Sequence, residues 1–288
     1  MSLPVLCAWV LGLTACAGPS SDSAGEGPSE GVLRVLTYNV HGLPSLITGD
    51  DTVGRIGSIG PLLEEFPLIG LQEDFTPEGH EVLMEAVSHD VRPWFDATLE
   101  GRFYGSGLTL LSRAEQVGYH EQHYSDCHGV VDGASDCLAS KGVQRVRLRL
   151  GPDAEIDVYN THIEAGNGKS DEAVRGVQVS EVIQLIEAQS AGMALVLMGD
   201  FNLSGSDEVD AALTEKLLRD AGLQTLCDAV ACGDPGRIDK ILFRSGERVQ
   251  LEARAWSVEE RFVDEAGTAL SDHEAIGGEL HWSRVDGP

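Results

Sequence analysis

Hydrophobic residues in this chain come in short bursts, each broken by glycine, proline or acid. VLRVLTYNV at 32–40 alternates in part and ends on polar residues, the pattern of a strand. Residues 55–65 put Ile56, Ile59 and Leu63 on one helical face despite their glycines, and Pro67 closes the segment. PLIGLQED, from Pro67, reads as a short buried strand ending in acids, and 77–88 as a helix. Apolar runs at 107–111, 142–150 and 156–161 predict strands, the second alternating cleanly. The strongest helix spans 170–189, with Val174, Val177, Val182, Ile183 and Ile186 at helical intervals. A strand over 194–198, a helix over about 207–221, and strands near 238–243, 249–256 and 275–281 complete the series. The stretch 118–140 shows neither period and is expected as the longest irregular loop. Strands in series with interspersed helices, and no linker after Gly31, predict one α/β domain with much antiparallel sheet.

The front of the chain follows other rules. The apolar run 3–13 is too short to span a bilayer but suits the core of a secretory signal, although no Lys or Arg precedes it. Leu13-Thr14-Ala15-Cys16 resembles a bacterial lipoprotein box, in which Cys16 becomes the lipidated first residue. Residues 17–31, rich in Ser, Gly, Pro and acid, read as a disordered tether. The expected organisation is therefore a signal over 1–16, a tether over 17–31 and a folded domain over 32–288. The expected product is a monomer exported to the bacterial cell envelope, anchored in a membrane or secreted. Beyond Cys7 and Cys16, the remaining cysteines form two close pairs, Cys127 with Cys137 and Cys227 with Cys232. They lack the CxxC spacing and attendant histidines of a zinc site, and local pairs in an exported chain favour disulfides.

Charge narrows the partners. Twenty Lys and Arg stand against 47 Asp and Glu, a formal charge of -27. Such a surface repels phosphate backbones at long range, so stable nucleic-acid binding is not expected.

Polar residues recur where apolar runs stop. Asn39 follows VLTY, Glu73 follows LIGLQ, and His162 follows IDVYNT. Asp200 and Asn202 follow LVLMG, Asp239 lies in GRIDKILF, and Asp272 and His273 precede EAIGGEL. One such ending is ordinary turn chemistry. The whole series points to a site built at strand ends, as layered α/β folds build theirs.

TYNV, QE, TH, GDFN, RIDKILF and SDH, in this order, resemble the motifs of the endonuclease/exonuclease/phosphatase superfamily of metal-dependent phosphoesterases. The resemblance runs from about Val32 to Trp282. It implies a four-layer sandwich, two mixed β-sheets face to face with helices outside. It also implies a divalent cation, Mg²⁺ or Mn²⁺, held chiefly by Glu73 with help from Asn39 and Asp272. Asp200 and Asn202 then position the attacking water, and Asp200 orients or deprotonates it. Asp239 orients His273 as acid or base, and His162 donates to the phosphoryl oxygens. The same comparison leaves open which group removes the proton. Arg175 and Gln178, three apart on the strong helix, match a pattern after the TH motif and are expected to pack or brace. Phe103 and Tyr104 are candidates to line the site, with the core the stronger expectation.

YNVHGLP, the Cys-flanked loop running into Lys141-Gly142-Val143, THIEAG and LSDHEA are similar to the neutral sphingomyelinase-like branch. Two features depart from it: Glu164 stands where the branch often has Gln, and no exposed aromatic hairpin precedes Ser271. The resemblance implies hydrolysis of a phospholipid such as sphingomyelin on the ceramide side of the phosphate. The alternatives are an exported nuclease with the same constellation, or a surface binding protein on a decayed fold of this kind.

Overall fold

A computed structural model describes residues 27–129 and 136–285. The first half of the described chain runs β1 (Glu30–Asn39), α1 (Ser45–Thr48), α2 (Thr52–Leu63), β2 (Leu68–Gln72), α3 (Pro77–Ala86), β3 (Trp94–Phe95), β4 (Leu108–Ser112) and β5 (Glu115–His123). It continues β6 (Gly142–Gly151), β7 (Ala154–His162), α4 (Lys169–Gln189), β8 (Ala194–Asp200), α5 (Glu208–Ala221) and β9 (Gln224–Thr225). The last elements are α6 (Leu226–Ala229), β10 (Asp239–Arg244), β11 (Val249–Val258) and β12 (Ile276–Arg284).

The strands make two six-stranded sheets, ordered β11-β12-β1-β2-β4-β3 and β5-β6-β7-β8-β10-β9. Each is antiparallel except for one internal parallel pair, β1 with β2 and β7 with β8. A parallel pair needs a crossover, and α1–α2 and α4 supply the two. Val35, Leu68 and Leu110 of one sheet meet Val158, Val196, Met198 and Phe243 of the other in a shared core. On the outer face of the first sheet, Leu36, Tyr38 and Leu71 pack on Ile56, Ile59 and Leu63 of α2 and Leu83 of α3. On the outer face of the second, Tyr159, Leu195 and Leu197 pack on Val179, Val182 and Ile186 of α4 and Leu217 of α5. The result is the expected four-layer sandwich. Strands covered on both faces carry continuous apolar runs instead of alternation, which is why β2 and β8 are buried at every position.

Three expectations need correction. The stretch 118–140 is not irregular at its start: β5 takes in residues up to His123 and pairs antiparallel with β6. It is an edge strand, largely open to water and largely polar, so it carries no apolar period. Val177 is 39% exposed and lies off the buried face of α4. Residues 30–31 of the expected tether join β1, opposite Ser283 and Trp282. The signal, Cys16 and residues 17–26 lie outside the described residues. Among the described residues no helix is long and apolar enough to cross a membrane. Both expected disulfides are present, Cys127–Cys137 and Cys227–Cys232, with Cα separations of 5.3 and 4.9 Å.

Candidate active site

Parallel strands deliver their C-terminal ends to the same edge. Asn39 ends β1, Glu73 follows β2, His162 ends β7 and Asp200 ends β8. β10 runs antiparallel to β8, so it starts where β8 stops, with Asp239 directly opposite Asp200. His162 is paired in register with Asp200 from the other side. β12 runs antiparallel to β1, which brings the preceding Asp272 and His273 to the same rim. The structure thus gathers Asn39, Glu73, His162, Asp200, Asp239, Asp272 and His273 at one rim, with Asn202 in the turn after Asp200.

Asp200 sits at the centre of the β7/β8/β10 side. Its Oδ2 accepts from Asn39 Nδ2 at 3.2 Å, and its Oδ1 accepts from the Asn202 backbone N–H at 3.0 Å. His162 Nε2 is 3.5 Å and His273 Nε2 3.7 Å from the same Oδ2. Burial, then the neighbouring Asp239 carboxylate, pushes the Asp200 carboxyl up to about 7. His273 Nδ1 lies 2.9 Å from Asp239 Oδ2. Burial alone would favour the neutral ring, but the bond and charge of Asp239, with the Asp200 charge, raise His273 to about 9. His273 is therefore an imidazolium at neutral pH. His162, 2% exposed, goes the other way: burial and then the Lys141 charge lower it to about 3, so it is neutral. Asn202, held at φ 49°, donates its side-chain amide to Ile163 O at 3.0 Å.

Lys141 was not assigned a role from sequence, although its loop was noticed. It is buried, donates to His162 Nε2 at 3.1 Å and to Ile163 O at 3.0 Å, and pairs with Asp136 at 2.7 Å. Because Lys141 donates to Nε2, the neutral His162 ring carries its proton on Nδ1. Asp136 adjoins Cys137, so the Cys127–Cys137 bridge ties down the loop that carries this carboxylate. Only burial distinguishes Lys141 from a solvated lysine, and burial is invisible in one sequence. Arg175 and Gln178 brace as expected: Arg175 binds Asp210 Oδ1 at 2.8 Å and Gly166 O at 2.7 Å. Gln178 Oε1 accepts from the Glu164 N–H at 2.8 Å, just past His162.

The β1/β2 side is built differently. Glu73 has φ 58° and His41 φ 50°, left-handed conformations that cost about 1–3 kcal/mol each. The Gly42 N–H donates to Glu73 O at 2.9 Å, and a Cβ at Gly42 would overlap that oxygen. Asn39 Nδ2, assigned by its partners, also donates to Glu73 Oε1 at 3.0 Å, while Oδ1 accepts from the His41 N–H at 3.0 Å. Asn39 therefore ties the two sides together. His41 Nδ1 stands between the carboxylates, 3.7 Å from Glu73 Oε2 and 3.3 Å from Asp272 Oδ1. Burial opposes ionisation of Glu73, but the nearby His41 ring, the Asn39 hydrogen bond and the Lys141 charge outweigh it, holding the carboxyl at about 2.

These residues fit a hard cation. Glu73 Oε2 is buried and has no hydrogen-bond partner, an arrangement a bound cation would repair. Asp239 Oδ1 is orphaned likewise, and ligand atoms of Asp200, Asp239 and His273 lie within 4.8 Å of one another.

Residues 36–273 match the Endonuclease/Exonuclease/phosphatase family. The chain belongs to that family. Within it, the chain is similar to the sphingomyelinase of Mycobacterium tuberculosis, 28% identical over 274 residues that cover 88% of this chain and 53% of that one. It thus spans about half the length of the curated relatives it matches. The fold is similar to sphingomyelinase C from Streptomyces griseocarneus (TM-score 0.66, 18% identity, 86% of this chain and 99% of that one). It is also similar to Staphylococcus aureus beta toxin with bound magnesium ions (TM-score 0.65, 14% identity, 86% and 99% covered).

Next to the rim, one wall of this family member carries aromatics, and here the core expectation fails. Phe103 is 74% exposed and Tyr104 half-buried. Both line a cleft of about 460 Å³ that includes Phe75 and Thr76, immediately beyond Glu73 and Asp74.

Proposed function

We propose that this family member is a divalent-cation-dependent phosphodiesterase that hydrolyses a phospholipid of the sphingomyelin type, releasing the phosphorylated head group. The observation that carries this reading is Asp200. It lies within 4 Å of one neutral and one protonated imidazole, and Asn39 links it to Glu73. Water attack on phosphorus needs a group to orient the water and accept its proton, and Asp200, poised near neutral pH by burial, suits that task. The oxygen leaving with ceramide needs a proton, and His273 holds one at Nε2 with Asp239 fixing the ring. Lys141 supplies fixed positive charge and holds His162 in one tautomer, and Asn202 shapes the turn behind Asp200. Glu73, Asp272 and Asn39 would hold Mg²⁺ or Mn²⁺, whose charge offsets that of the phosphoryl oxygens.

The lipid reading is supported by the similarity to sphingomyelinases and by the absence of a free basic stripe among the described residues. Three arginines of β6 form a row, but Arg145 and Arg147 bind Asp157 at 2.9 and 2.8 Å. Arg149 binds Glu115 and Glu155 in turn. The disulfides fit export to an oxidising compartment. In this reading Cys16 anchors a monomeric enzyme to the envelope membrane, and a Cys16→Ser chain would no longer partition into detergent.

Equal enzyme and Mg²⁺ should be given mixed micelles of sphingomyelin and, separately, plasmid and single-stranded DNA. Released phosphocholine with intact DNA is the expected result. Efficient nicking without head-group release would replace the lipid reading with a nuclease.

A further inference from the structure

The cleft beside Glu73 has an unusual lining for an apolar hollow. Its walls include Phe75, Trp94, Phe103 and Tyr104, its charged lining residues are Glu78 and Asp96, and no Lys or Arg lines it. Neither carboxylate is ion-paired to a basic side chain among the described residues. Glu78 also suits the first turn of α3, but Asp96 lies on no helix.

The rings are held in place. The Trp94 indole N–H donates to Asp74 O at 2.9 Å, and its ring stacks on His80 with centroids 4.0 Å apart. The Phe75 ring lies 5.7 Å from that of Tyr104. Gly107, at φ 68°, leaves room for Phe75, because a Cβ there would press on the ring. Phe103 closes the set from the solvent side.

We infer that this cleft binds a quaternary ammonium group. π-faces attract a diffuse cation, and carboxylates add net negative potential. A primary ammonium keeps its water or demands direct acceptors, whereas a trimethylammonium group can donate no hydrogen bond and loses little hydration on entering. An acyl chain would gain from the rings but nothing from Glu78 and Asp96. The inference rests on the phospholipid reading above for its setting. In a phosphocholine ester only an ethylene unit separates phosphate from ammonium, so the two must be recognised side by side. The segment Glu73–Thr76 offers both: Glu73 faces the rim, Asp74 O anchors the Trp94 indole, and Phe75 and Thr76 line the cleft. The cleft would thus select the head group of the lipid.

The test compares ceramide esters of phosphocholine and phosphoethanolamine in identical micelles with Mg²⁺. Turnover should favour choline by about tenfold, and Phe103→Leu, which keeps an apolar side chain but removes the π-face, should cut that ratio about threefold. A second arm titrates the full chain, in EDTA, with tetramethylammonium chloride and follows the ligand by NMR. Saturable binding that ammonium chloride does not displace, and that weakens in Phe103→Leu and in Asp96→Asn, supports the cleft. Equal turnover of the two head groups, or no saturable binding, overturns it and leaves the phosphodiesterase reading standing. If the chain cuts DNA and neither lipid, the phospholipid reading fails and the tetramethylammonium arm alone decides the cleft. Binding that instead follows acyl length, without a cation, also overturns it.

Discussion

The two sides of the site are delivered by strand pairs of the same kind and end with opposite properties. β7 and β8 bring His162 and Asp200 to the rim in register, and β10 adds Asp239 opposite Asp200. There regular sheet geometry does the placing, and His162, Asp200 and Asp239 are buried against one another, although His162 Nδ1 and Asp239 Oδ1 have no hydrogen-bond partner. β1 and β2 bring Asn39 and Glu73 to the same rim, but the chain leaves the sheet through left-handed residues. Of five non-glycine residues with positive φ among those described, His41 and Glu73 lie on this side and Asn202 lies across the rim, after Asp200. The β1/β2 side also leaves Glu73 Oε2 without a partner and the Asp272 side chain 60% exposed. Buried oxygens without partners remain on both sides, Asp239 Oδ1 on one and Glu73 Oε2 on the other, but only the β1/β2 side adds two left-handed residues, His41 and Glu73, and an exposed carboxylate. Strain and unpaired charge concentrate where the ligand must supply the compensation.

Removing that ligand should break the contrast most severely. EDTA, or Glu73→Gln, should cost about 10³-fold or more in turnover, since a cation contributes several kcal/mol to such a transition state. Near-UV circular dichroism should stay unchanged, because the core packing lies elsewhere. Native turnover in EDTA would end the cation proposal.

Asp200→Asn asks whether the sides are separable. Losing the proton acceptor should cost about 10²-fold in turnover, with Mg²⁺ affinity by calorimetry little changed. Loss of Mg²⁺ binding as well would place the cation among Asp200, Asp239 and His273, which also have ligand geometry.

The contrast marks what the sequence could disclose. Glu73, His162, Asp200, Asp239 and His273 stood out because charged or imidazole groups at the ends of apolar runs are costly unless they serve one another or a ligand. The α/β class was legible in the series of strands and helices, whereas the four-layer sandwich was implied only by the resemblance of the motifs. β5 was missed because an edge strand has no buried face to give it a period. Lys141 was given no role, and Phe103 was placed in the core, for a common reason. Each departs from the usual burial of its type, the lysine inside and the phenylalanine outside, and burial is decided by distant segments. His41 escaped notice because its position between Glu73 and Asp272 follows from a backbone turn, not from spacing.

Acid and alkali should separate the sides in the chelated protein. His273, at about 9 against an ordinary 6.5, stabilises the fold fully below 6.5 and loses that contribution as pH rises through about 9. Glu73, at about 2 against 4.5, contributes above 4.5 and loses it as pH falls through about 2. In denaturant titrations with EDTA, His273→Asn should therefore cost about 2 kcal/mol at pH 6 and progressively less towards pH 10. A cost independent of pH would show that the Asp239–His273 pair is not ionised as described.

The smallest effect tests the strained exit from β1. Gly42 donates its N–H to Glu73 O, and a Cβ there would overlap that backbone oxygen, which has no rotamer by which to yield. In Gly42→Ala the turn must back away, drawing the Glu73 carboxylate off its position without touching β7, β8 or β10. Outer partners of a metal ligand are worth about tenfold in affinity at the low end, so Mg²⁺ should bind about tenfold more weakly. Saturating Mg²⁺ should restore most turnover, because Asp200, Asp239 and His273 keep their register. The alkaline loss of stability assigned to His273 should keep its midpoint. If turnover stays low at saturating Mg²⁺ and that midpoint moves too, the bridge through Asn39 transmits the distortion from Glu73 to Asp200. The two sides would then be one mechanical unit, completed together when the cation binds.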